Sequence, residues 1–177
     1  MLDSNVPTPV TGRKREENVF AAGSMQTRRL ALLAVPALVV LVLDQVSKYL
    51  VLRSLQHGPV IDLLGGLVRL DFTRNTGAAF GIFRSGGLVF AAIAVLVAVG
   101  IVLSHQRVAR SGYLVRLGLG LVVGGAIGNL LDRVRFGYVV DFVDLRWWYV
   151  FNLADSAIVA GVALMVLHSI RFGGDQL

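Results

Sequence analysis

LALLAVPALVVLVLDQVSKYL, residues 30–50, decides what kind of molecule this is. Leu30 to Leu43 is an unbroken apolar run that continues as a mixed helix through Asp44 and Lys48 to about Leu52. At about 1.5 Å per residue that is long enough to cross a hydrocarbon core of about 30 Å. Composition agrees: of 177 residues 55% are hydrophobic, and the mean hydropathy is +0.71. Such a chain buries its surface in lipid. The net charge of +6 is spread singly or in short clusters between apolar runs, which is how membrane-flanking charge is distributed and not the footprint of a nucleic-acid binder. The absence of cysteine excludes a disulfide, a thiol nucleophile and a thiolate metal site, and leaves the redox compartment unreadable.

Three more spans follow. Gly86 to Leu103 carries no polar side chain, and Tyr113 to Leu131 is apolar except for Arg116, which can snorkel, and Asn129. Phe151 to Ile170 is the polar span, with Asn152, Asp155 and Ser156 in its first turns and His168 and Ser169 in its last. The expected fold is an all-α membrane protein of four transmembrane helices with a small extracytoplasmic β-sheet. Arg28 and Arg29 before the first run resemble the start of a secretory signal peptide, but no small-x-small cleavage site follows, so the first span reads as a retained helix. Residues 1–27 then form a disordered cytoplasmic tail, 28–172 the four-helix membrane domain, and 173–177 a cytoplasmic C-terminal tail. Lys and Arg divide almost evenly between the two sides, and the cluster beside the first span tips the N-terminus inward. Both termini are then cytoplasmic, with residues 53–85 and 132–150 outside.

The first outer loop reads as more than a linker. Val68, Leu70 and Phe72 alternate with Arg69, Asp71 and Thr73, the period of a half-buried strand, and Gly65-Gly66 between VIDLL and LVRLDF is a hairpin signal. NTGAAFGIF follows, and its small residues serve equally a tight turn into the second span or a close approach to a ligand.

Asp141 and Asp155 are the acids to weigh: one in a loop beside a span, the other inside a span. An aspartate at membrane depth costs about 3 kcal/mol and usually marks a functional site. The plain alternative is a salt-bridged or hydrated loop aspartate plus a helix-capping one. Asp44 with Lys48, Asn129 with Asp132 and Arg133, and Asn152 with Asp155 are spaced three or four apart, so each group shares one helical face. These faces converge near the outer interface as a buried polar cluster. Interhelical adhesion, at about 0.6 kcal/mol per hydrogen bond, suffices to explain Asp44, Lys48, Asp132 and Arg133, which can neutralise one another.

His57, His105 and His168 are too scattered for a zinc site, so no metal is expected. Serine chemistry lacks a base: Ser47 and Lys48 point in different directions, and no GxSxG elbow is present. Two aspartates remain, and in a dry site one protonated and one ionised carboxyl can activate water and protonate a leaving amine. The competing class is a small transporter or channel subunit with Asp155 as a proton or cation site, against which stands the lack of an inverted repeat.

DQVSK at 44–48, NTGAAF at 75–80, GGAIGNLLDR at 124–133, VVDF at 139–142 and FNLADSAI at 151–158, in this order, resemble the lipoprotein signal peptidases, or signal peptidase II, over roughly residues 28–171. The resemblance implies an aspartic peptidase of the bacterial cytoplasmic membrane. It would cut prolipoproteins on the amino side of a diacylglyceryl-modified cysteine, without a cofactor. It makes Asp141 and Asp155 the catalytic dyad and gives Asp44, Lys48, Asn75, Asn129, Asp132, Arg133 and Asn152 site-ordering or substrate-contacting roles. Residue chemistry alone does not select Asp141 over Asp144 or Asp132; the motif does. The same resemblance makes the outer sheet a cradle for the substrate, with its acyl chains between helices and membrane lipid.

Overall fold

The structure, a computed structural model, describes residues 10–76 and 112–172. Helix α1 (Val10–Ser54) is followed by β1 (Ile61–Leu63), a single 3₁₀ turn (Leu64–Gly66), β2 (Val68–Asn75), α2 (Tyr113–Phe136), β3 (Val139–Asp144) and α3 (Leu153–Phe172). Among the described residues three stretches are long and apolar enough to span a membrane: Leu30–Ser54, Tyr113–Phe136 and Leu153–Arg171. The expected second span, Gly86–Leu103, lies outside the described residues.

α1 starts at Val10, inside the segment expected to be disordered, so from Val10 onward helix replaces coil. Arg13, Lys14, Arg15, Glu16 and Glu17 are good helix formers. Once the span supplies a nucleus, each further turn costs little.

α2 is the central helix, packed against both α1 and α3, and glycine lets it be so. Gly120, Gly124 and Gly128 form one stripe, and a Cβ on them would meet the Leu33 carbonyl, the Ala37 carbonyl and the Asp44 carboxylate of α1. Gly118 and Gly125 face the other way, where a Cβ would lie 2.6 Å from the Gly161 carbonyl and 2.5 Å from the Ala154 carbonyl of α3. Lipid provides little hydrophobic drive between helices, so close backbone contact must hold them together. The pairing also fixes direction. α1 and α2 run parallel toward the sheet, and α3 runs back from it, ending with His168 beside Gly112.

The sheet is antiparallel with order β1-β2-β3. β1 and β2 form the expected hairpin, Leu63 opposite Val68, turned by Gly65 and Gly66 at φ 68° and 87°. β3 was expected as loop. It pairs with β2, Thr73 opposite Asp141 and Asn75 opposite Val139, past a bulge between Leu70 and Thr73. Its residues are buried on both faces, so it lacks the alternation that marks a half-exposed strand. Val140 and Phe142 pack on Val51 and Leu55 at the end of α1. Asp141, between them in sequence, therefore points to the opposite face.

Candidate active site

The site lies where β3 meets the start of α3. Phe151 bridges to Val143: its N–H donates to the Val143 carbonyl at 3.1 Å, and its carbonyl accepts from Phe142 and Val143. This fixes the entry of α3 against the strand that carries Asp141. Asn152 and Asp155 then cap the helix reciprocally, Asp155 N–H to Asn152 Oδ1 at 2.9 Å and Asn152 N–H to Asp155 Oδ2 at 3.3 Å. That is a capping box built from Asn and Asp. Asp44 of α1 adds to it by accepting from the Ala154 N–H at 3.0 Å.

Each expected site residue is placed here, but in two layers. The inner layer is ionic. Lys48 reaches Asp44 and Asp132 at 2.9 Å each and donates to Asn129 Oδ1 at 2.8 Å, all within a region shut off from solvent. Asp132 also accepts from the Val140 N–H at 3.1 Å, which ties α2 to β3. Asp132 pairs with Lys48, while Arg133 donates to the Asn129 carbonyl at 3.2 Å and stands in the field of Asp155, Asp141 and Asp132. Gln45 was missed by the sequence reading. Its amide donates to Asp44 at 3.2 Å, Asp132 at 3.1 Å and the Gly128 carbonyl at 3.3 Å. It stands next to Asp44 in DQVSK, off the i, i+4 spacing that picked out Lys48.

The second layer holds the two aspartates. Asp141 is 1% exposed, and among the described residues its hydrogen bonds come from neutral amides: Asn75 Nδ2 at 2.8 Å and Asn152 Nδ2 at 2.6 Å. Asp155, half-buried, accepts from Asn129 Nδ2 at 2.8 Å. Asn152 thus touches both, its side chain on Asp141 and its backbone N–H on Asp155. It also donates to Asn129 Oδ1 at 3.1 Å, which closes the network.

Geometry now separates acids that residue chemistry left equal. Asp144 is tied to Arg69, Nε at 3.0 Å, and to the Arg146 N–H at 2.6 Å, and these bonds hold its carboxyl below the usual range. Asp132 is committed to Lys48. Among the described residues Asp141 has no such cation: burial raises its carboxyl to about 6, helped by the nearby charge of Asp155 and opposed by the Asn75 and Asn152 bonds and Lys48. A carboxyl that keeps its proton to near neutral pH beside a second carboxyl is the arrangement that acid-base chemistry needs. The plain alternative is half met, because Asp155 does cap its helix. Asp141 forms no salt bridge among the described residues.

Asp155 opens onto a groove of about 530 Å³, lined with Ser156 by the apolar Leu145, Trp147, Trp148, Phe151, Val159 and Ala160. A polar pair thus borders an apolar trough.

The signal peptidase II family profile matches residues 36–171, which is most of the chain and includes every residue of this site. The chain belongs to the signal peptidase II family. Among its relatives, the lipoprotein signal peptidase of Moorella thermoacetica is 45% identical over 140 residues, 79% of this chain and 93% of that one. That of Mycobacterium leprae is 41% identical over 161 residues, 88% of this chain and 79% of that one. A solved structure described as a bacterial membrane enzyme superposes with a TM-score of 0.70 at 28% identity, covering 81% of this chain and 90% of that one. Signal peptidase II membership makes the chain a peptidase and a bacterial membrane protein. It gives no support to the transporter or channel alternative.

Proposed function

We propose that the chain hydrolyses the peptide bond on the amino side of a diacylglyceryl-modified cysteine in prolipoproteins, with Asp141 and Asp155 as an aspartic dyad. The observation that carries this reading is the Asn152 bridge between two carboxylates, one of them deeply buried. The dyad begins the cycle with one proton between its two carboxyls, Asp141 serving as the acid and Asp155 as the base. The Asp155 carboxylate takes a proton from water as that water attacks the scissile carbonyl. Asp141 donates to the oxygen that becomes charged, and the proton on Asp155 then passes to the leaving amine. Asn75, Asn129 and Asn152 hold the carboxyls in place, and Arg133, one turn on from Asn129, would contact the substrate backbone. Asp44, Lys48 and Asp132 bind α1, α2, β3 and α3 into one frame. The mechanism calls for no metal or cofactor.

The groove beside Asp155 suits the apolar part of a lipidated substrate, whose acyl chains would lie against helices and membrane lipid. Four spans, rather than three, fit the direction of the described helices. Asn75 ends β2 at the sheet side and Tyr113 starts α2 at the far side, with the apolar run Gly86–Leu103 between them in sequence. With residues 13–15 and Arg28-Arg29 inward, both termini are cytoplasmic and the sheet and dyad lie at the extracytoplasmic face. The purified protein, given a lipidated and an unlipidated precursor peptide, should cleave only the lipidated one. Equal cleavage of both would remove the lipid from the reading.

A further inference from the structure

The arginines at the sheet end of the bundle fall into two sets. Arg69 is spent on Asp144, and Arg146 lies 3.6 Å from Asp62. Arg53, Arg74 and Arg135 are all exposed, and no ion pair to a carboxylate is found for any of them among the described residues. They rest on aromatic rings and an amide instead. Arg53 sits 5.2 Å over Tyr49, Arg74 lies 5.6 Å from Phe72 and 5.3 Å from Tyr138, and Arg135 donates to Gln45 Oε1 at 3.0 Å. Tyr138 stacks on Phe136 at 5.8 Å and meets Phe72 edge-on at 6.5 Å.

Position says what this surface meets. Gln45, Tyr49 and Arg53 are four apart and share one face of α1, and Arg135 reaches that face from α2. Arg53 and Arg135 each stand one residue inside the sheet-side end of a membrane-spanning stretch. Such depth is the headgroup region, where aromatic rings also settle. On the same helix, toward the bilayer centre, Val42 and Val46 are half exposed and carry no polar atom in their side chains. Arg53 and Arg135 at headgroup depth above an apolar wall, with Arg74 on the Tyr138 ring that stacks on Phe136 at the end of α2, match an anionic phospholipid: phosphate above, acyl chains below. A water-facing acidic protein would have no use for the wall.

We propose that Arg53, Arg74 and Arg135 form a binding site for the headgroup of an anionic phospholipid, on a face of the bundle separate from the groove beside Asp155. The site does not depend on catalysis. It is tested by lipid retention: the full chain is placed in nanodiscs of equal phosphatidylglycerol and phosphatidylcholine, and co-retained lipid is read by native mass spectrometry. Wild type should keep phosphatidylglycerol in preference to phosphatidylcholine. Each of Arg53→Gln, Arg74→Gln and Arg135→Gln should lower that preference about fivefold, the ratio that corresponds to roughly 1 kcal/mol per arginine near an anionic surface. Arg69→Gln and Arg146→Gln, whose cations are already paired, should leave it in place. A variant with all three arginines changed to lysine keeps the charge and should retain the lipid, so a loss in the glutamine series cannot be ascribed to misfolding. No preference in wild type, or a preference that survives the triple glutamine variant, would overturn the site.

Discussion

Lys48→Met isolates what the inner ionic layer does. The ammonium group serves three acceptors, Asp44 and Asp132 at 2.9 Å each and Asn129 Oδ1 at 2.8 Å, and Lys48 itself is 2% exposed. Methionine fills a similar volume, so packing is nearly kept while the charge is lost. Two carboxylates, at 0% and 1% exposure, then share a dry space with no cation between them. Breaking a buried pair from one side costs about 3–5 kcal/mol, and here one cation serves two anions, so the upper part of that range applies. Against a typical total of about 5–15 kcal/mol, this is enough to reduce the folded fraction sharply. The assay is thermal unfolding in detergent, followed by tryptophan fluorescence from Trp147 and Trp148. A triple variant, Lys48→Met with Asp44→Asn and Asp132→Asn, removes the stranded charges and should recover part of the loss. It should not recover all of it, since the carboxylates also accept from Ala154 and Val140. If Lys48→Met melts within about 2 °C of wild type, a shift worth no more than about 1 kcal/mol, the buried cation is not what holds the spans together.

Other outcomes follow from the same geometry. Asn152→Ala removes the group that touches both aspartates and caps α3, so it should lower kcat by roughly a hundredfold or more and reduce stability by about 1 kcal/mol through the cap; wild-type turnover in a steady-state assay would contradict the bridge. Gly125→Ala places a Cβ 2.5 Å from the Ala154 carbonyl and pushes back the turn that carries Asp155, so cleavage should fall more than the yield of folded protein. Burial raises the Asp141 carboxyl to about 6, so the native state holds a proton that the unfolded chain gives up near 3.8. Stability should therefore decline as pH rises between these values and level off above about 6, which denaturant titration across that window would show. The alkaline limb of kcat/KM should start near pH 6, with that of kcat higher because bound substrate excludes more water. Chelators and thiol reagents should leave cleavage intact; a loss restored by zinc would reopen the metal question.

What could be read from sequence depended on periodicity. The spans at α1, α2 and α3 and the β1-β2 hairpin carry either long apolar runs or a Gly-Gly turn between alternating residues, and those survive without tertiary context. β3 does not, because Val139 to Phe142 is buried on both faces by the end of α1 and by the site itself. Spacing on helical faces grouped Asp44 with Lys48 and Asn152 with Asp155. It could not show that Lys48 would reach Asp132, since that contact depends on the approach of α1 to α2 at Gly128. Nor could it rank Asp141 above Asp144. Only the cross-strand register, which sets Arg69 opposite Asp144 and Thr73 opposite Asp141, pairs one acid with a cation and the other with a neutral neighbour.

The measurement closest to the central claim is the single-turnover rate on a lipidated precursor peptide for wild type, Asp141→Asn and Asp155→Asn, each confirmed folded by its melting curve. Asparagine keeps the shape and the hydrogen-bonding edge of the carboxyl but can neither take nor hold the proton. Both variants should cleave at least about a thousandfold more slowly than wild type, and the double variant little more slowly than either, because a dyad acts as a unit. Wild-type cleavage by either single variant would contradict the assignment of the dyad.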